Sequence, residues 1–228
     1  MLANRVMTSS SVTTPFRWFE ADALALSDND PVSSWTDKSP AGDHAIQATS
    51  GNQPIYKSGI LNGRAVVRFD GSNDYLSFSE ILDTSGATAH FFIVAKQNAS
   101  GTRAIIGTRP SSGNNGWVLR YQSATQLMYY HTGYSPNVTY NITDKFNLIE
   151  VQRNGLNITV GSDGTLGTPQ AVSGYSASSL NGTRIGGALS SLDTYMSGDI
   201  AEIIIYDIVL PSAERSDIIS ALLTKYGL

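Results

Sequence analysis

The stretch Asp199-Ile-Ala-Glu-Ile-Ile-Ile-Tyr-Asp-Ile208 carries the strongest strand signal in the chain. Its β-branched and aromatic residues favour an extended, packed backbone. A second run, His90-Phe-Phe-Ile-Val-Ala-Lys96, is nearly continuous in apolar residues and predicts a central strand buried on both faces. Arg64-Ala-Val-Val-Arg-Phe-Asp70 alternates instead, with Ala65, Val67 and Phe69 on one face and Arg64, Val66 and Arg68 on the other. Further strands are predicted over Arg103–Thr108, 116–122, Gln126–His131 and 182–187, between clusters of Gly, Ser and Asn. Residues 146–153 and 156–160 flank Asn154-Gly155, a pair that favours a type I′ hairpin turn with positive φ at both central residues.

Only Ser212–Tyr226 has a convincing helical period: Ile218, Leu222 and Tyr226 fall four apart, and Ile219 and Leu223 widen the stripe. Pro211 suits a helix start and Gly227 a stop. The strand pattern runs without a linker from Ala65 to Leu210, which predicts one domain over residues 15–228. Many short strands with regular turn signals mean a sandwich or a barrel. Residues 1–14 form a polar tail that should fray unless a neighbouring subunit holds it.

Composition excludes several classes. The 228 residues carry a formal net charge of -4 with scattered Lys and Arg, so nothing favours a nucleic acid, whose phosphates demand clustered basic residues. There are no cysteines, hence no disulfide framework, thiolate metal site or Cys nucleophile. No apolar run is long enough to span a bilayer, and residues 1–14 lack the apolar core of a secretory signal, so export by that route is not expected.

Two blocks resemble a known family. The first is Phe16-Arg-Trp-Phe-Glu-Ala-Asp22, continuing through Val32-Ser-Ser-Trp-Thr-Asp-Lys-Ser39, Ala45-Ile-Gln-Ala-Thr49 and Asn52-Gln-Pro-Ile-Tyr56 to Leu61-Asn-Gly-Arg-Ala-Val-Val-Arg-Phe-Asp-Gly-Ser-Asn-Asp-Tyr-Leu76. The second is Gly198-Asp-Ile-Ala-Glu-Ile-Ile-Ile-Tyr206, leading into Ala213-Glu-Arg and closing with Lys225-Tyr-Gly-Leu228. Together they are similar to the concanavalin A-like, laminin-G-like jelly-roll domains of bacterial and bacteriophage proteins. The resemblance implies an all-β, two-sheet antiparallel jelly-roll sandwich closed by one C-terminal helix. Where the family often caps that helix with Ser followed by Glu, this chain has Pro211 before Glu214, which puts a capping box in doubt.

Glycoside hydrolysis is the enzymatic alternative, since glucanases share this fold. It needs paired carboxylates across the scissile bond. Asp199 and Glu202 are three apart, which predicts opposite faces, and Glu150 stands alone in its strand. Glu202 is expected to face solvent or to pair with Arg68 or Arg184. No cofactor is expected; relatives of the family often hold calcium, for which Asp70, Asn73 and Asp74 are first candidates and Asp28, Asn29 and Asp30 next, but Asp-Asn-Gly turn chemistry is the safer reading of both clusters. His44, His90 and His131 lack metal-ligand spacing.

Sugar binding needs aromatic faces beside polar side chains. Residues 117–140 offer Trp117, Tyr121, Tyr129, Tyr130, Tyr134 and Tyr140 with Arg120 and Asn137 interleaved. The candidate glycan-binding set is Trp117, Arg120, Tyr121, Tyr130, Tyr134 and Asn137. Tyr129 and Tyr130 must point to opposite faces, so one of them should enter the core. The resulting expectation is a non-catalytic structural or adhesive protein of the virion surface, such as a bacteriophage capsid decoration or tail-associated domain. It would dock on virion subunits through residues 1–14, with capacity for surface glycans and for homo-oligomers. The alternative is a carbohydrate-binding module of a bacterial surface or secreted protein.

Overall fold

The computed structural model describes residues 13–79, 81, 87–108, 116–131, 137–172, 182–187 and 195–228. Strands are numbered in chain order. The larger sheet has nine of them and runs through β14 (Thr165–Leu166), β13 (Asn157–Ser162), β12 (Asn147–Asn154), β7 (Thr88–Gln97), β17 (Ser197–Tyr206), β5 (Arg64–Asp70) and β4 (Ile55–Leu61). To these, β1 (Arg17–Glu20) adds alongside β17 and β15 (Gln170–Ala171) alongside β13. The smaller sheet has eight, running through β11 (Val138–Asn141), β10 (Gln126–His131), β9 (Trp117–Ser123), β8 (Arg103–Thr108), β16 (Thr183–Ile185), β6 (Leu76–Phe78), β3 (Ala45–Ile46) and β2 (Ser34–Trp35). Every ladder among the described residues is antiparallel. The fold is a two-sheet antiparallel β-sandwich with one C-terminal helix, α1 (Ser212–Tyr226).

Two cores explain the apolar runs. The main core lies between the sheets and takes Phe91, Ile93 and Ala95 from β7 and Ile200, Ile203 and Ile205 from β17. The second lies on the outer face of the larger sheet, where Phe92, Val94, Ala201, Ile204 and Tyr206 meet Ile219, Leu222 and Tyr226 of α1. Strands sandwiched between two cores have no solvent face, so their sequences do not alternate. The helix stripe is rotated slightly from the expected one: Ile219, Leu222 and Tyr226 are buried, and Ile218 and Leu223 are half-buried beside them.

A bulge in β17 corrects the expected placement of its acids. The register against β7 shifts between Ile200 and Glu202, inserting Ala201. Asp199 and Glu202 therefore share the outer face instead of opposing each other. Asp199 holds Arg68 through two hydrogen bonds of 2.7 and 2.9 Å. Glu202 is buried and exposed to neither solvent nor Arg184. It accepts from Trp18 Nε1 at 2.6 Å, Lys225 Nζ at 2.6 Å and the Tyr226 hydroxyl at 2.7 Å. Lys225 also reaches Glu20 at 2.6 Å, so β1, β17 and α1 meet at one charged knot.

A second knot fixes the start of the helix. Glu150 accepts from Arg215 Nε at 2.6 Å and Nη2 at 2.8 Å, and its Oε1 lies 2.7 Å from His90 Nε2. The Leu210 N–H donates to His90 Nδ1 at 3.3 Å, which assigns the ring proton to Nε2 and its hydrogen bond to Glu150. Burial alone would raise the Glu150 carboxyl, but the hydrogen bonds from His90 and Arg215 outweigh it and hold the pKa below its ordinary 4.5.

The helix ends follow local rules in one case and not the other. Gly227 adopts the left-handed conformation at φ 65 and donates to Leu223 O, as a C-terminal stop requires. At the start, Pro211 offers no side-chain cap, and Glu214 accepts instead from the Thr13 N–H at 3.1 Å. The expected type I′ turn at Asn154-Gly155 is displaced by one residue. Asn154 pairs with Asn157, leaving Gly155 and Leu156 central, and only Gly155 has positive φ, as a type II′ turn needs. Positive φ at both central residues occurs at Asn62-Gly63 and Asp163-Gly164.

Candidate ligand-binding site

The two outer sheet faces differ. The larger sheet's is closed by α1, whereas no described helix or strand covers the smaller sheet's. Strand register fixes what that face carries. One row runs Tyr130, Val118, Gly107, Arg184, Ser77, Ile46 and Ser34, from β10 across to β2. The next runs Thr139, Met128, Arg120 and Ala104. Ala104, Gly107 and Val118 are small and buried, forming a floor beneath larger neighbours.

Two guanidinium–aromatic pairs stand on this floor. Arg120 lies 5.2 Å from the centre of the Tyr130 ring and donates to Met128 Sδ at 3.4 Å. Arg184 lies 3.9 Å from the centre of the Tyr75 ring, and Tyr195 stacks on Tyr75 at 6.4 Å and 27°. Arg120, Tyr130, Arg184, Tyr75 and Tyr195 are all half-buried: fixed by their neighbours, yet partly in solvent.

Of the sequence-derived glycan set, the structure brings Arg120 and Tyr130 onto this face. Trp117 and Tyr121 are core residues, at 0% and 1% exposure, because they share the inward face of β9 with Leu119. Neither offers a face to a sugar: Trp117 stacks on Tyr129 at 5.9 Å, and Phe91 packs on Trp117 at 5.4 Å. Tyr129 enters the core and Tyr130 the outer face, as alternation requires. Asn137 is exposed before β11. Tyr134 lies outside the described residues, as do residues 1–12, on which the docking-arm expectation falls.

The calcium candidates form a turn. Asp70 accepts from the Ser72 and Asn73 N–H groups at 2.8 and 3.3 Å, and Asp74 accepts from the Asp70 N–H at 2.9 Å. Asn73 is exposed and belongs to no cluster. Two carboxylates already engaged by backbone donors fall well short of the six to eight oxygens calcium takes, and no group of three His, Cys, Asp or Glu among the described residues could hold a metal. The residues present do not fit the ion. In the second cluster, Asp28 binds Lys57 and the Ser58 N–H, and Asp30 accepts from the Ser27 N–H.

Asp70 and Asp74 also line an open cavity of about 650 Å³ at the end of the larger sheet, with Lys57, Arg68, Phe69 and Asn98. Burial pushes the Asp74 carboxyl up to about 6, aided by repulsion from Asp70. The charged lining is otherwise satisfied internally: Lys57 by Asp28 and Asn29, Arg68 by Asp199. No local sequence pattern marks Arg184, Tyr75 and Tyr195 as a site. They lie more than a hundred residues apart at the extremes, and only the pairing of β16 with β6 unites them.

No family model and no curated protein matches the chain. Solved structures do match in shape. The sialidase of Trypanosoma rangeli in complex with 2,3-difluorosialic acid aligns at TM-score 0.66 and 15% identity over 93% of this chain and 34% of that one. The same sialidase in complex with sialic acid aligns at 0.63 and 15% over 90% and 32%. The receptor binding domain of botulinum neurotoxin D aligns at 0.60 and 14% over 89% and 54%. At such identities the likeness shows a shared β-sandwich fold. The chain spans about a third of the sialidase and half of the toxin domain. No helix among the described residues is long and apolar enough to cross a membrane.

Proposed function

We propose that this chain is a non-catalytic, carbohydrate-binding β-sandwich of the concanavalin A-like type, and that it binds its glycan on the outer face of the eight-stranded sheet. One observation carries the reading: α1 closes one outer sheet face, while the other bears Arg120 against Tyr130 and Arg184 against Tyr75. Sugars present apolar C–H faces between hydroxyls, and fixed aromatic rings beside polar donors complement both. The likeness to a toxin's receptor binding domain and to sialidase structures supports the same class.

The carboxylates argue against hydrolysis. Glu150 and Glu202 are consumed by the two knots beneath α1. Asp70 and Asp74 accept backbone N–H groups of their own turn, whereas a glycosidase needs a pair of carboxyl groups free to flank the bond it cuts. The resemblance of both chain ends to bacteriophage and bacterial domains supports an adhesive role at a virion or cell surface. The test is a glycan array read with the wild type and Tyr130→Ala. Binding lost in a variant that unfolds like the wild type supports the face; no glycan bound by the wild type ends the proposal.

A further inference from the structure

We infer that the saccharide received on this face carries a carboxylate, and that Arg184 is the residue that takes it; the inference rests on the glycan-binding reading above. The chain supplies acids to four of its eight described strand and helix arginines. Arg17 has Asp43, Arg64 has Asp22, Arg68 has Asp199 and Arg215 has Glu150. Arg184 has none. Among the described residues nothing accepts a hydrogen bond from it, and its Nε is buried without a partner. What it has is an aromatic bed: the guanidinium carbon lies over the Tyr75 ring, 3.9 Å from its centre, and Tyr195 braces Tyr75.

That arrangement costs the free protein something and prepares it for a ligand. A desolvated donor without an acceptor is unfavourable until something supplies one. Stacking fixes the plane of the fork, so little side-chain freedom remains to be lost on binding. Along its row, Arg184 is flanked by Gly107 and Ser77, and neither places a bulky side chain beside the guanidinium. A planar carboxylate can therefore approach edge-on and accept two parallel N–H bonds, which a sugar hydroxyl cannot do. The partially exposed Ile46, two strands away in the same row, extends the surface with an apolar patch for the sugar ring.

The experiment is an array of neutral, carboxylated and sulfated oligosaccharides, probed with the wild type, Arg184→Gln and Arg184→Lys. Each carboxylated hit is then remeasured by biolayer interferometry as its methyl ester. The expected result is enrichment of carboxylated sugars, with about 10- to 100-fold weaker binding on esterification or in Arg184→Gln, and a smaller loss in Arg184→Lys. Hits confined to neutral or sulfated sugars overturn the carboxylate assignment and leave glycan binding standing. So do hits that Arg184→Gln leaves unchanged. An array with no hits overturns both readings, and an unchanged urea midpoint for each variant separates binding from folding.

Discussion

Replacing Glu150 by Gln keeps the side-chain shape and removes the charge at the centre of the helix-anchoring knot. In the wild type, Glu150 is 0% exposed and accepts two hydrogen bonds from Arg215 and one from His90. The amide can still accept one of these, but its NH2 then faces a donor, and Arg215 loses its counter-charge. Breaking a buried pair from one side costs about 3–5 kcal/mol. The Arg215 side chain is 19% exposed and keeps a hydrogen bond to Gly164 O at 3.0 Å, so the lower end, about 3 kcal/mol, is expected. With an m-value of about 2–3 kcal/mol/M in urea, the midpoint should fall by about 1 M or more at constant m. Adding Arg215→Met should cost much less in the Glu150→Gln background than alone, a coupling of more than about 1 kcal/mol. A loss under about 0.5 kcal/mol, or strict additivity, would place the pair among surface ion pairs and refute the reasoning. Because the Glu150 pKa is held below 4.5, the wild type should also lose this contribution as pH falls through that region, and the variant should not.

Asp74 has the opposite sign. Its folded pKa of about 6 lies above the ordinary 3.8, so the stability it contributes is present below 3.8 and lost as pH rises through 6. Asp74→Asn should flatten that slope and stabilise the protein near pH 7.5 by about 2–3 kcal/mol, read from urea unfolding across pH; an unchanged slope would deny the buried charge. Trp117→Ala should cost about 3–5 kcal/mol as a core truncation, whereas Tyr130→Ala should shift stability by under about 1 kcal/mol and abolish array binding. The reverse pattern in thermal unfolding would invert the faces of β9 and β10. Gly186→Ala places a Cβ 2.2 Å from Phe69 at φ 80, and a loss of about 3 kcal/mol is expected; a neutral midpoint would contradict that close approach.

Alternation and apolar runs were enough to read the strands, because β7 and β17 are buried along both faces, while β5 buries Ala65, Val67 and Phe69 on its inner face and only Val66 on its outer one. Features that depend on a single extra residue were not legible. The bulge at Ala201 moves Asp199 and Glu202 onto one face, and the β12–β13 turn slips from Asn154-Gly155 to Gly155-Leu156, changes that local propensity does not register. In the site, Trp117 and Tyr121 share a face with Leu119, and that shared face marked them as core as much as platform. Arg184, Tyr75 and Tyr195 have no local signature at all. Their meeting is a product of β16 pairing between β8 and β6, a contact across about a hundred residues of chain.

The proposed glycan position is the outer face of the eight-stranded sheet. Chemical-shift mapping with the tightest array hit tests it most directly. The perturbed signals should cluster on Arg120, Met128, Tyr130, Ser77, Tyr75 and Arg184, leaving α1 and the cavity untouched. Perturbations centred instead on Asn29, Lys57, Asp74 and Asn98, around the end cavity, would contradict it.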